Sequence, residues 1–129
     1  MSVFLGIDTS NYTTSAALYD TENDRIVMEK RLLPVKSGEL GLKQSDAVFQ
    51  HIKQLPQLLE RLFGQCQMSV AGVGVSVTPR RSEGSYMPCF LVGSAVASSI
   101  SSALSVPKYE FSHQEGHIMA ALYSAGHLE

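Results

Sequence analysis

The feature that most constrains this chain is a change of period. Three short apolar runs come first, and at Ser45 apolar residues begin to recur at helical spacing. Residues 2–9 form a run with β-branched residues broken by a single Gly, which reads as a buried strand. A polar turn, Asn11 to Thr14, leads to a second strand over residues 15–19, SAALY. The turn DTEND, Asp20 to Asp24, leads to a third over 25–33, RIVMEKRLL. Then Val48, His51, Ile52, Leu55, Leu58, Leu59 and Leu62 follow a helical stripe, with Ser45 as its cap, Pro56 as a kink or break and Gly64 as its end. The run VAGVGVSV, residues 70–77, predicts a strand whose Gly72 and Gly74 permit close approach of a neighbour or ligand. A small-residue helix over 89–105, a strand over 107–111 and a helix from about Gln114 to Ser124 complete the pattern. The order βββαβαβα predicts an α/β fold, a mixed sheet with helices packed on it.

At 129 residues the chain reads as one domain, and 44% hydrophobic residues suffice for a packed core. The net charge of -2 gives no global field for steering nucleic acid. Cys66 and Cys89 lack CxxC spacing and are expected to be reduced thiols of a cytoplasmic protein. Neither a signal-peptide start nor an apolar run of the ~18 residues needed to span a membrane is found. Leu128 and Glu129 read as a cloning scar after a domain covering residues 1–127.

Three segments carry candidate chemistry. In FSHQEGHIMA, His113 and His117 are four apart, so on a helix both rings share one face and can bind one ion. Equally, His113 can cap the helix while His117 packs on the sheet. The metalloprotease pattern HExxH is not met, because Gln114 follows His113 and the acid is Glu115. A third ligand is not identifiable, and His51 and His127 are candidates by residue type alone. In LGIDTSNYTTSAALYD, Asp8, Thr9, Ser10 and Asn11 bring an acid, hydroxyls and backbone amides into one turn. Such a turn can hold phosphate oxygens or a metal-bound water, or be an ordinary hairpin. The loop Thr78 to Pro88 carries Arg80 and Arg81, which read as a solvated loop or as contacts to an anionic substrate.

Taken in order, LGIDTSNYTTSAALYD, VAGVGVSV before a small-residue helix, and VPKYEFSHQEGHIMAAL resemble the N-terminal half of the TsaD family, called Gcp or O-sialoglycoprotein endopeptidase in older naming. The resemblance covers nearly all of the chain. It implies the first of two duplicated lobes of the actin/Hsp70/sugar-kinase (ASKHA, ribonuclease H-like) fold, with the second lobe absent and this one inactive alone. It further implies transfer of threonylcarbamoyl from its adenylate to the N6 amine of the tRNA adenosine next to the anticodon. A divalent metal, iron or zinc, would sit on His113 and His117 with an aspartate of the second lobe. Asp8, Thr9 and Ser10 would match the phosphate-side turn, and His51 a histidine early in the first-lobe helix. ATP-derived adenylate, tRNA and a TsaB-like subunit are the implied cofactor and partners, and the isolated lobe is expected to self-associate through its interlobe face.

Two departures mark a divergent paralogue. The family's turn reads TSCDET, whereas Thr9 to Thr14 carry Tyr12 and Thr13 where the acids stand. The family's PGL loop is replaced by Pro79 to Pro88. A non-catalytic TsaB-like scaffold is the competing expectation, although that family lacks HxxxH. A metalloprotease, after the older name, is third.

Overall fold

The computed structural model describes residues 3–10, 12–34, 44–65, 69–79 and 88–113. Its elements are β1 (Val3–Thr9), β2 (Thr13–Asp20), β3 (Arg25–Leu32), α1 (Gln44–Gln65), β4 (Val70–Thr78), α2 (Phe90–Leu104) and β5 (Lys108–Ser112). They form one five-stranded sheet of order β3-β2-β1-β4-β5. The β1–β2 and β2–β3 pairs are antiparallel, and β1–β4 and β4–β5 are parallel. The expected order holds over these residues. The helix expected at 114–124 and residues 127–129 lie outside them.

Side chains alternate along β1. Val3, Leu5, Ile7 and Thr9 are buried, while Phe4, Gly6 and Asp8 point to the other face. The buried set joins Ala16 and Leu18 of β2, Val73 and Val75 of β4, Leu55 and Leu62 of α1, and Val92 and Ala97 of α2 in one core. Both helices therefore cover the same face of the sheet. Leu55, Leu58 and Leu62 are all fully buried, each contributing about 1.5–3 kcal/mol of transfer free energy.

Helix α1 begins one residue before Ser45, ends one residue after Gly64, and contains Pro56 without interruption. The expected break does not occur. Pro56 and Ile52 are both on the exposed side of the helix, so the Ile52 carbonyl that loses its amide donor is open to water. Helix α2 has no side-chain cap of its own. Thr9, the last residue of β1, supplies the equivalent. Its hydroxyl donates to the Cys89 carbonyl at 2.9 Å and accepts from the Gly93 amide at 3.0 Å, both buried. A methyl at Gly93 would meet Thr9 Oγ1 at 2.9 Å, Ile7 Cγ2 at 3.2 Å and Val75 Cγ2 at 3.3 Å. The absence of a side chain there lets α2 sit against β1 and β4.

Gly93→Ala is therefore expected to destabilise the chain by about 1–3 kcal/mol through overpacking. Urea unfolding checks this, and an unchanged midpoint would show that the helix can retreat at no cost.

Candidate functional site

The sheet face opposite the helices carries a cleft of ≈ 780 Å³. Its floor comes from the small residues Gly6, Ala17 and Gly74, and its sides include Met28, Tyr12, Phe90 and Phe111. Nothing lies within 4 Å of a methyl placed on Gly6. At Gly74 the neighbour is the Phe111 ring, 2.8 Å from such a methyl, and at Gly72 it is Phe4, also at 2.8 Å. The two strand glycines thus admit aromatic rings of adjacent strands, which answers the close approach expected of them.

Strand register sets a polar row at one end of this cleft. Asp8 pairs with Ser15 across β1–β2, and Ser15 with Lys30 across β2–β3. On the other side, Ser76 Oγ donates to Asp8 Oδ2 at 2.8 Å. His113, directly after β5, places Nδ1 2.6 Å from the same oxygen. Since a carboxylate only accepts, Nδ1 carries the proton. The His113 ring is tilted against Phe90, with centroids 6.4 Å apart. Asp8 Oδ1 is buried without a hydrogen-bond partner among the described residues. Such an atom is costly unless a donor or cation meets it.

A second cluster lies behind the β1–β2 turn. His51 is fully buried. Its Nε2 is 2.6 Å from the Ser10 carbonyl, and its Nδ1 is 2.8 Å from Thr14 Oγ1. Thr14 Oγ1 is also 3.0 Å from Gln54 Oε1. Burial holds the His51 pKa below its ordinary 6.5, against the opposing pull of the Ser10 carbonyl and Asp8. Ser10 Oγ donates to the Thr13 carbonyl, and the Leu33 amide donates to the Tyr12 carbonyl. Burial also pushes the Cys89 thiol up to about 11, so it is not a nucleophile at neutral pH.

The residues singled out in the sequence thus fall into separate groups. Asp8 and His113 are in direct contact and border the cleft with Ser10. Thr9 faces the core as the clamp of α2. His51 does not line the cleft, and both its ring nitrogens are engaged inside the protein. Its candidacy as third metal ligand or substrate contact gives way to a structural role. Asn11, Arg80, Arg81 and His117 lie outside the described residues. Among those described, no three His, Cys, Asp or Glu residues form a group able to hold a metal. Ser76 and Lys30 were not anticipated. A lone hydroxyl in the apolar run VAGVGVSV was a signal for the first, whereas only strand register reveals the second.

No protein-family profile matches the chain. It is 27% identical over 124 residues to the tRNA N6-adenosine threonylcarbamoyltransferase of Wigglesworthia glossinidia brevipalpis. To the protein of the same name from Nitrosospira multiformis it is 30% identical over 121 residues. Each alignment takes in 93% of this chain, which spans only about a third, 35% and 34%, of those relatives. Among solved structures, YeaZ from Pseudomonas aeruginosa matches 87% of this chain with a TM-score of 0.63 at 18% identity, over 43% of its own length. Thermus thermophilus RuvC, in complex with a Holliday junction substrate, matches 88% of this chain and 66% of its own with a TM-score of 0.50 at 12% identity. These likenesses show the class of fold, ASKHA or ribonuclease H-like. In sequence the chain is a divergent TsaD-like one, and its likeness to YeaZ is one of fold alone.

The buried His51 sets a pH dependence. Its folded pKa lies below the unfolded value, so below about pH 6.5 the unfolded state binds the extra proton. Stability is expected to fall as pH drops from 7 toward 5, and the slope to flatten in His51→Gln. Denaturant midpoints across that range decide it, and identical slopes in both proteins would remove His51 as the cause.

Proposed function

We propose that this chain is the first lobe of a TsaD-like transferase in which His113 and His117 hold a divalent metal, iron or zinc. The observation that carries the reading is the grip of Asp8 on Nδ1 of His113. Imidazoles that ligate metals commonly give their second nitrogen to a carboxylate, which fixes the tautomer and aims the ring. Nε2 is then the nitrogen that would take the ion. Imidazole donors suit both iron and zinc, so the donor set fits.

When bound, the metal would supply Lewis-acid polarisation of a donor carbonyl. The residues of this chain have their own tasks. Asp8 holds the Nδ1 proton and orients the ring, and Ser76 fixes the carboxylate. Ser10 and Thr13 border the cleft from the turn, where the phosphate side of an adenylate would lie, and Lys30 adds a positive charge. Met28 and Phe111 keep the neighbouring surface apolar. The reaction would be threonylcarbamoyl transfer from the adenylate to N6 of the tRNA adenosine next to the anticodon. In this reading residues 1–127 form one lobe. A second lobe supplies the third ligand and the nucleotide contacts, a TsaB-like subunit is the partner, and the site of action is the cytoplasm. No helix among the described residues is long and apolar enough to cross a membrane.

One feature favours a non-catalytic scaffold instead. Tyr12 and Thr13 stand where the TsaD turn carries acids, which removes natural candidates for managing the amine proton. Metal content separates the two readings. After zinc or iron loading, the full-length protein is expected to hold stoichiometric metal, and His113→Ala and His117→Ala to hold none. Asp8→Ala should weaken affinity by about 10–100-fold. A metal-free wild type would leave the scaffold reading in its place.

The face opposite the helices exposes Met28 at 54%, Leu32 at 73% and Tyr109 at 49%. Apolar surface of this kind favours association. The isolated lobe is expected to run above its monomer mass of 14.0 kDa by light scattering, and a strictly monomeric mass would refute the self-association.

A further inference from the structure

The β1–β2 turn borders the cleft, yet its described hydrogen bonds either stay within the turn or run to residues that do not line the cleft. Ser10 and Thr13 bond within the turn, and Tyr12 is held by Leu33. Besides these and the strand ladders at Thr13 and Thr14, a restraint comes from behind, through His51. We infer that His51 is the positioning residue of this turn: its Nε2–H donates to the Ser10 carbonyl while its Nδ1 takes the proton of Thr14, so one buried ring fixes both ends of the turn. The inference rests on the proposed reading only in supposing that the turn faces the reacting phosphate.

The chemistry of the partners determines the proton positions. A backbone carbonyl only accepts, so Nε2, 2.6 Å from the Ser10 oxygen, is protonated. A fully buried imidazole stays neutral, in line with its lowered pKa, so Nδ1 has no proton and must accept. Thr14 has one hydroxyl proton to give, and two acceptors compete for it: Nδ1 at 2.8 Å and Gln54 Oε1 at 3.0 Å. The ring nitrogen has no other donor. The Gln54 amide has an alternative, since turning it over presents N–H to the Thr14 oxygen. That turn gives up the long bond from Gln54 Nε2 to the Leu32 carbonyl, 3.4 Å, and sets Gln54 Oε1 against that carbonyl, a modest cost at this separation. The resulting chain runs from Gln54 to Thr14 to His51 to Ser10, each donor meeting an acceptor. It ties α1 to the turn, and because α1 packs on the sheet core the turn inherits the rigidity of that core.

Two substitutions separate positioning from packing. A glutamine side chain places an amide N–H near the position of Nε2, while an asparagine reaches only the position of Nδ1. The test is amide hydrogen exchange at Ser10, Tyr12 and Thr13 in the wild type, His51→Gln, His51→Asn and His51→Ala. Protection of the turn is expected to survive in His51→Gln and to fall by about tenfold in the other two, the loss of one neutral hydrogen bond. Equal loss in Gln and Asn would reduce His51 to filler. Should the variants fail to fold, the wild type still decides. Long-range nitrogen–proton spectra of the 15N-histidine-labelled chain at neutral pH should show a protonated Nε2, a bare Nδ1 and a slowly exchanging ring proton. The opposite tautomer, or a rapidly exchanging proton, would overturn the inference. These readouts use no ligand, so a failure of metal binding leaves them standing, and their failure leaves the metal reading untouched.

Discussion

Strand β1 lies at the centre of the sheet, and its two-residue alternation separates core from site. Val3, Leu5, Ile7 and Thr9 go to the helices, and Phe4, Gly6 and Asp8 go to the cleft. A shift of one residue would bury Asp8 and expose three core aliphatics, a change no local rearrangement could absorb. The pairing with β2 and β4 locks that choice from both sides. Every group of the site is then measured from Asp8.

The two faces of β1 are connected through its last residues. Thr9 turns inward and clamps the first turn of α2, while Asp8 turns outward and holds His113. Neighbouring residues thus couple helix packing to the site. The same logic recurs in the turn that follows, where Ser10 shows its hydroxyl to Thr13 and its carbonyl to His51. The sheet places these polar groups at the carboxyl ends of parallel strands β1 and β4, where α/β sheets generally place their ligands.

This arrangement also separates the metal question from the fold. His51 and His113 are alike in the sequence and opposite in environment. One is fully buried and committed to protein partners, whereas the other is partly exposed and backed by a carboxylate. Residue type made both candidates, and burial with the identity of the Nδ1 partner divides them. The altered turn fits the same picture. Tyr12 and Thr13 are uncharged beside Asp8, and Lys30 brings a positive charge to the same cleft.

Element order and type were legible in the sequence because period two and period 3.6 are local properties of the chain. So were the class of the sheet and the glycines that admit close neighbours. The break expected at Pro56 is absent, since its effect depends on whether the affected carbonyl meets water, and that is set by how α1 docks. The hydrogen bonds of Asp8 to Ser76 and His113 span 68 and 105 residues, and the His51 chain to Ser10 spans 41. No spacing rule reaches that far. Local pattern determined which strands and helices form, and strand order alone decided which of their side chains meet, because contact across a sheet depends on register between segments distant in sequence.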